Sequence, residues 1–187
     1  MTNPPYYAEL GHAIPTDLPQ EVEERAKKCV ESAVKALGIN FGSVNMDMLI
    51  TAEGKIHIID IGARMGGNMI GPCIIPYGTG VDYVANMIRN AVGDEIDLTP
   101  RQKSAVATRL LAFGNGVVKQ LPDFEGLERE YGVEIYHHLE VGQAVREYHT
   151  NLDGCGYIVA KASDVETAIG NAEKVLKVIG KTIFMMD

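Results

Sequence analysis

The sequence predicts an α+β fold, in which an antiparallel sheet flanked by helices is followed by a smaller, strand-rich C-terminal subdomain. Three observations lead to this prediction. Residues 44–61 form a predicted β-hairpin, because two apolar runs flank the turn-forming sequence Thr-Ala-Glu-Gly-Lys. Residues 19–37 and 164–179 carry apolar stripes at helical spacing. From Ser104 onward, strand-like runs alternate with turns.

Before the hairpin, the chain predicts a short strand and a long helix. Residues 6–14 are typical of a strand, which Pro15 would end. The helix over residues 19–37 has Pro19 in its first turn and Gly38 as its C-terminal stop.

After the hairpin, residues 71–92 are predicted to be helical in two pieces, with a break near Gly78–Gly80. A turn-rich segment through Pro100 follows. It marks the boundary between two predicted domains, residues 1–103 and residues 104–187.

The second domain is predicted to begin with strands and to end with a helix. Its apolar runs predict four strands, over residues 105–113, 116–119, 133–140 and 156–162. A short helix is predicted over residues 123–131. The last helix, over residues 164–179, has Ser163 or Asp164 as its N-cap and Gly180 as its stop. Residues 181–186 are predicted to form a final strand.

Composition excludes several classes of function. The 187 residues carry a net charge of −8, which leaves no basic surplus for non-specific nucleic-acid binding. The three cysteines are far apart and form no CxxC pair, so neither a disulfide framework nor a zinc site is expected. The N-terminus lacks the features of a signal peptide, and no run is long enough to span a membrane. We therefore expect a cytoplasmic protein without a membrane partner.

The predicted hairpin brings two carboxylates together. With Glu53 and Gly54 as the turn, or with a four-residue loop, Asp47 faces Asp60, Asn45 faces Gly62 and Leu49 faces Ile58. A three-residue loop would break this pairing.

Two facing carboxylates repel each other, and burial between apolar strands would raise that cost. A shared proton or a bound cation would relieve the repulsion, and Mg²⁺ is typically held by one or two carboxylates together with substrate phosphates. The alternative is a surface hairpin whose carboxylates face water.

A glycine-rich segment, residues 62–71, follows the second strand directly. Its glycines would let the backbone approach a ligand closely, although a mobile connector is an equally good interpretation. Arg64 lies four residues past Asp60. It could form a salt bridge with the carboxylates, or it could orient an anionic phosphoryl or carboxylate group.

The hairpin and loop together, Asp47 followed by a turn and by Ile-Ile-Asp60-Ile-Gly-Ala-Arg64-Met-Gly-Gly, resemble the C-terminal half of the ATP-grasp fold. That superfamily includes biotin carboxylase, carbamoyl-phosphate synthase, purine-biosynthesis ligases and amino-acid ligases. The chain is most similar to the carbamoyl-phosphate-synthase-like or amino-acid-ligase branch.

The resemblance implies ATP and Mg²⁺ (or Mn²⁺) as cofactors and a role for each residue of the motif. Asp47 and Asp60 would ligate the metal, Leu49 would lie under the adenine and Arg64 would be catalytic, holding the acyl phosphate or the substrate carboxylate. Gly66 and Gly67 would line that pocket. Gly62 stands where the family has an asparagine ligand, and we expect Asn45 to supply the missing oxygen.

The implied function is that of an ATP- and Mg²⁺-dependent carboxylate–amine ligase that acts through an acyl phosphate. Its partners would be ATP, a small carboxylate and an amine. The segments that resemble the family include neither its ATP lid nor the domain that precedes the lid. We therefore expect a fragment that is inactive alone and is completed by an N-terminal subunit or a homo-oligomer. The alternatives are a non-catalytic ATP-grasp-like binding or assembly module, and an unrelated phosphate-binding protein that shares only the two-acid hairpin.

Overall fold

A computed structural model describes residues 2–184 of the chain. The strands are β1 (Thr2–Asn3), β2 (Ala8–Glu9), β3 (Ala13–Ile14), β4 (Asn45–Ile50), β5 (Ile56–Gly62), β6 (Ala105–Leu110), β7 (Gly116–Val117), β8 (Val133–His137), β9 (Ala144–Val145) and β10 (Gly156–Ala162). The helices are α1 (Gln20–Ala36), α2 (Ile75–Thr79), α3 (Tyr83–Val92), α4 (Phe124–Tyr131) and α5 (Val165–Phe184). A π-helical turn, Ile70–Ile74, runs directly into α2, and a 3₁₀ turn spans Asn151–Asp153.

The largest sheet is antiparallel, with strand order β3-β6-β10-β8. Side chains on its central strand β10 alternate between two layers, as the period of a strand requires. Ile158 and Ala160 pack in the main core, together with residues of α5. Val159 points to the other layer, where it packs with Cys73 and Ile74 of the π-helical turn. The sheet is therefore covered on both faces, and this explains why all six residues of its strand β6 are buried.

This sheet takes strands from both halves of the chain. The predicted N-terminal strand exists as the short strands β2 and β3, and Ala13 of β3 pairs with Ala107 of β6. A division into domains at residue 103 remains a prediction.

The hairpin β4–β5 forms a two-stranded sheet of its own, beside α1. Arg25 of α1 donates a hydrogen bond to the carbonyl of Gly54 in the hairpin turn. Met46 and Met48 of the hairpin line a cavity of about 800 Å³ together with Ala26 and Val30 of α1. The face of the hairpin that carries Met46 and Met48 thus turns toward α1.

The C-terminal prediction lacks strand β9, and it also places the end of the last helix wrongly. Helix α5 does not stop at Gly180 but continues to Phe184, so residues 181–184 are helical and not a strand. The reason is that Ile179 and Ile183 extend the apolar stripe of the helix by one more turn, and both are fully buried. Residues 185 and 186 of the predicted strand lie outside the described residues. Among the helices described, none has the length and apolar character needed to cross a membrane.

Candidate functional site

Asp47 and Asp60 are direct partners in the β4–β5 ladder, and Asn45 is the partner of Gly62. Directly opposed residues of an antiparallel pair project to the same side of the sheet. The hairpin therefore presents both carboxylates on one face, as the sequence predicted.

The rest of the predicted register is wrong, because the hairpin loop has a different length. The N–H of Thr51 donates to the carbonyl of Lys55 over 2.9 Å, which leaves three residues, 52–54, at the tip. As a result, Leu49 pairs with His57 and not with Ile58. A β-bulge then shifts the register by one residue between Met48 and Asp47, and this shift restores the pairing of the two aspartates.

The two carboxylates face water, as in the surface-hairpin alternative, and are not buried between apolar strands. Asp47 and Asp60 are both exposed, and so are the apolar Leu49 (57%) and Ile59 (67%). Water can solvate both carboxylates, so their repulsion alone does not require a shared proton or a bound cation. The case for a metal rests instead on the donor set and on what surrounds it.

Asn45 is held between Asp47 and the glycine-rich loop. Its Nδ2 donates to Oδ1 of Asp47 over 3.3 Å. Its Oδ1 lies 2.8 Å from the position that a Cβ on Gly66 would occupy, so only glycine at 66 leaves room for this side chain. In this orientation Asn45 presents a donor to Asp47, and a rotation of its amide by 180° would turn the oxygen toward the carboxylates.

Arg64 folds back over Gly62. A Cβ placed on Gly62 would lie 3.4 Å from Cγ of Arg64 and 3.6 Å from its Nε, so the arginine stem covers the site of the missing side chain. The Nη1 of Arg64 donates to the carbonyl of Met65 over 2.9 Å. Within residues 2–184, Arg64 forms no ion pair, so the salt bridge to the aspartates is not present and the guanidinium is available to an anion.

A cavity of about 650 Å³ is lined both by this hairpin and by residues of the C-terminal half of the chain. Four of the predicted site residues contribute to its lining: Asn45, Asp47, Arg64 and Gly67. The opposite wall comes from residues 6–9 and 149–152. Leu49, Asp60 and Gly66 do not line this cavity, although Asp60 stands next to Asp47 in the ladder and Gly66 contacts Asn45.

Sequence reasoning missed two residues that line this cavity, Glu9 and Asn68. Asn68 is buried and donates a hydrogen bond to the carboxylate of Glu9. The Nδ2 of Asn68 also lies 3.3 Å from Nε2 of His12, and the Tyr157 hydroxyl donates to Oδ1 of Asn68 over 3.1 Å. The position of Asn68 directly after a glycine pair was the one sequence feature that could have indicated its role. Its hydrogen-bond partners come from strands far away in the chain, which the sequence does not indicate.

Burial sets the protonation of His12. Desolvation lowers the pKa of its imidazole below the ordinary value of 6.5, although the nearby Glu9 carboxylate acts in the opposite direction. The His12 ring is therefore mostly neutral at pH 7. Its neutral nitrogen is a suitable neighbour for the Asn68 amide.

The donors at the hairpin suit a hard cation such as Mg²⁺. They are two carboxylates and one amide, all of them oxygen-bearing side chains. Within the described range, no three His, Cys, Asp or Glu side chains come close enough together to hold a metal on their own. A cation here would need further oxygens, and nucleotide phosphates are the usual source.

Comparison with known proteins finds similarity in sequence and in fold. Residues 109–181 match the family described as L-amino acid ligase C-terminal domain 2. The structure is similar to the L-amino acid ligase from Bacillus licheniformis, with a TM-score of 0.80, 20% identity, and coverage of 95% of this chain and 46% of that one. The chain has the fold of the C-terminal part of an ATP-grasp enzyme. The predicted resemblance to the ATP-grasp superfamily is thereby confirmed.

Two further comparisons extend this finding. The biotin carboxylase domain of the 2-oxoglutarate carboxylase from Hydrogenobacter thermophilus, solved with MgADP and bicarbonate, shares the ATP-grasp fold at a TM-score of 0.66 and 18% identity, over 91% of this chain and 38% of that one. The uncharacterised protein y4rH of Sinorhizobium fredii is 27% identical over 177 residues, which are 90% of this chain and 36% of that protein. The chain thus spans less than half the length of these proteins.

Proposed function

We propose that this chain supplies the metal- and phosphate-binding part of an ATP- and Mg²⁺-dependent carboxylate–amine ligase. The observation that carries the proposal is the pairing of Asp47 with Asp60 on one face of a hairpin, directly before a glycine-rich loop that carries Arg64. The fold and the family match in residues 109–181 support it.

The reaction requires two displacements. A carboxylate oxygen attacks the γ-phosphorus of ATP and ADP leaves, which forms an acyl phosphate. An amine nitrogen then attacks the carbonyl carbon of that acyl phosphate, the C–O bond to phosphate breaks, and the nitrogen loses a proton. Bound Mg²⁺ would neutralise the charge that develops on the phosphate oxygens.

The residues of the cavity suit these steps. Asp47 and Asp60 would hold the metal, with Asn45 as an additional oxygen donor. The free guanidinium of Arg64 would orient the acyl phosphate or the substrate carboxylate. The carboxylate of Glu9, on the opposite wall, would attract an amine substrate in its ammonium form, and this ammonium would release a proton to water before the neutral nitrogen attacks.

In this proposal, other groups that bind ATP lie outside the chain. The solved enzymes of this fold are about twice as long as the region that matches. We propose that an additional segment or an N-terminal partner subunit provides the lid over the nucleotide, and that the chain by itself binds nucleotide weakly.

One observation favours a second candidate, a non-catalytic binding or assembly module. Gly62 has no side chain to offer a metal, and the stem of Arg64 occupies the adjacent space. The two candidates differ in whether the aspartates bind a metal when nucleotide is present.

Titration with Mn²⁺, followed by electron paramagnetic resonance in the presence and absence of ADP, tests the proposal. We expect ADP to increase Mn²⁺ binding to the wild-type chain. We expect Asp47→Asn and Asp60→Asn to weaken it by about tenfold or more, because such sites depend on one or two carboxylates. Glu53→Gln is the matched control, since it removes the same charge from the exposed turn of the same hairpin. If both aspartate variants bind Mn²⁺ and ADP like the wild type, the ligase proposal fails and the non-catalytic candidate is preferred.

A further inference from the structure

The buried side chain of Asn68 connects the glycine-rich loop to the rest of the chain. Asn68 is only 9% exposed and has a backbone φ of 49°, in the left-handed region, which asparagine adopts more readily than most residues other than glycine. Met69, the next residue, is also left-handed, with φ of 64°. Such strained positions persist where the surrounding structure holds them in place, and they are concentrated at functional sites.

The contact that anchors Asn68 to the sheet comes from Tyr157. The Tyr157 hydroxyl donates to Oδ1 of Asn68 over 3.1 Å, across 89 residues of sequence. Tyr157 lies on β10, which is paired on both sides, with Leu110 of β6 and with Tyr136 of β8. The backbone of Tyr157 is therefore held by neighbouring strands on both sides, and this fixes the point from which its side chain extends.

Arg64 has no comparable anchor of its own. Within the described residues its guanidinium bonds only to the carbonyl of Met65, its immediate neighbour. Three residues separate Arg64 from Asn68, and two of them are glycines that give the backbone freedom. The position of Arg64 at the cavity therefore depends on how the loop is held at its far end.

We propose that Tyr157 is a positioning residue, whose hydroxyl acts through Asn68 to hold the loop that carries Arg64 at the edge of the cavity. The consequence for ligand binding rests on the function proposed above, whereas the effect on Arg64 itself does not. By this inference, the four-stranded sheet takes part in anion recognition through Tyr157, which acts on Arg64 by way of Asn68.

The chain offers a matched control in Tyr136. This tyrosine lies on the same face of the same sheet and donates its hydroxyl to the Glu134 carboxylate over 2.8 Å. Glu134 also accepts from Tyr77 of α2, and it pairs with Lys161 over 2.9 Å. The Tyr136 hydroxyl also accepts a hydrogen bond from Sγ of Cys73 in the π-helical turn, over 3.8 Å. Tyr136→Phe thus removes a tyrosine hydroxyl from the same face of the sheet and leaves the hydrogen bond between Tyr157 and Asn68 in place.

The experiment compares Tyr157→Phe, Asn68→Ala and Tyr136→Phe in two measurements. The first is the ¹⁵N–¹H signal of the Arg64 backbone amide and of its side-chain Nε in the free protein. We expect the first two variants to shift and broaden these signals and Tyr136→Phe to leave them unchanged. The second is the affinity for MgADP by calorimetry, which we expect Tyr157→Phe to weaken about fivefold, the typical effect of one lost hydrogen bond. The double variant Tyr157→Phe with Asn68→Ala should bind no more weakly than Asn68→Ala alone, because both changes break the same link.

The outcomes separate the two proposals. If the wild type does not bind MgADP but the Arg64 signals respond to Tyr157→Phe and Asn68→Ala and not to Tyr136→Phe, the positioning role stands and the ligase proposal fails. If the wild type binds MgADP while Tyr157→Phe leaves both the Arg64 signals and the affinity unchanged, the positioning role is refuted. A purely structural role is identified if Tyr157→Phe and Tyr136→Phe lower the thermal stability equally and neither moves the Arg64 signals.

Discussion

The two adjacent glycines of the loop, Gly66 and Gly67, should respond oppositely to alanine. A Cβ on Gly66 would lie 2.8 Å from Oδ1 of Asn45 and 3.0 Å from Cδ1 of Ile70, whereas a Cβ on Gly67 meets no atom within 4 Å. Neither glycine has a φ in the left-handed region, so alanine is compatible with the backbone at both positions. The difference between the variants therefore measures side-chain contact alone.

The contacts determine the size of the effect. In Gly66→Ala, the Asn45 side chain must move away, which breaks its 3.3 Å hydrogen bond to Asp47, and Ile70 must shift by a few tenths of an ångström. The lost hydrogen bond costs about 0.5–1.5 kcal/mol, and tight packing of the new methyl adds about 1–3 kcal/mol. The reduced freedom of the unfolded chain, which alanine brings at either position, offsets about 0.4–1 kcal/mol of this. Because Ile70 has to shift only slightly, the packing cost lies at the low end of its range, so the net cost is about 1–2 kcal/mol. In Gly67→Ala, the reduced freedom of the unfolded chain stabilises the protein by about 0.4–1 kcal/mol.

Thermal unfolding by calorimetry checks this prediction. At this chain length each kcal/mol corresponds to about 2–4 °C, so we expect Gly66→Ala to lower Tm by about 2–8 °C and Gly67→Ala to leave it unchanged or slightly higher. The Asn45 side-chain amide signals should move in the first variant only. Equal Tm values for the two variants would refute the assigned contact between Asn45 and Gly66.

Three further predictions concern other parts of the chain. Gly62→Asn should fold, because its Cβ meets only the flexible stem of Arg64 at 3.4 Å. It should raise Mn²⁺ affinity about tenfold by adding an oxygen ligand. A titration with Mn²⁺ in the presence of ADP measures this, and an unchanged affinity would argue against a metal beside residue 62. Burial lowers the pKa of His12 in the folded state, so the unfolded state binds the proton more tightly, and the free energy of unfolding should fall as pH decreases from about 6.5 through the lowered pKa. Urea unfolding at pH 7 and pH 5 should show this loss in the wild type and a smaller one in His12→Gln, and equal losses would contradict it. Ile158 is fully buried in the sheet, and Ile158→Ala should lower the free energy of unfolding, measured with urea, by about 2–5 kcal/mol. Leu152 is 95% exposed, and Leu152→Ala should lower it by less than about 0.5 kcal/mol. Similar losses in the two variants would mean that the core is assigned incorrectly.

The hairpin shows how far local sequence patterns reach. The apolar runs and the turn sequence predicted both strands and the pairing of Asp47 with Asp60. They did not predict the three-residue loop or the bulge. The loop shifts the strand register by one residue and the bulge shifts it back, so the two shifts cancel where the aspartates pair. Loop length and bulges depend on backbone hydrogen bonds that several turn sequences can form equally well.

The helix ends illustrate a second limit. The N-caps Asp82 and Asp123 accept hydrogen bonds from the backbone N–H three residues on, as short-range chemistry predicts. Gly180 was expected to end the last helix, yet the helix continues because Ile183 finds a buried site in the core. A glycine stop is a local preference of about 1 kcal/mol, and burial of a large apolar side chain exceeds it.

The sequence by itself determined the α+β class, the main helices, the facing aspartates and the order in which Asp60, Arg64 and the glycine pair follow one another. These features depend on residues close together in the chain, where periodicity and turn chemistry act directly. Only the tertiary structure brought Glu9, His12 and Tyr157 to Asn68, and only it placed the stem of Arg64 over Gly62. Contacts of this kind join residues up to 89 positions apart, and they arise from sheet pairing and core packing, which no local pattern in one sequence encodes.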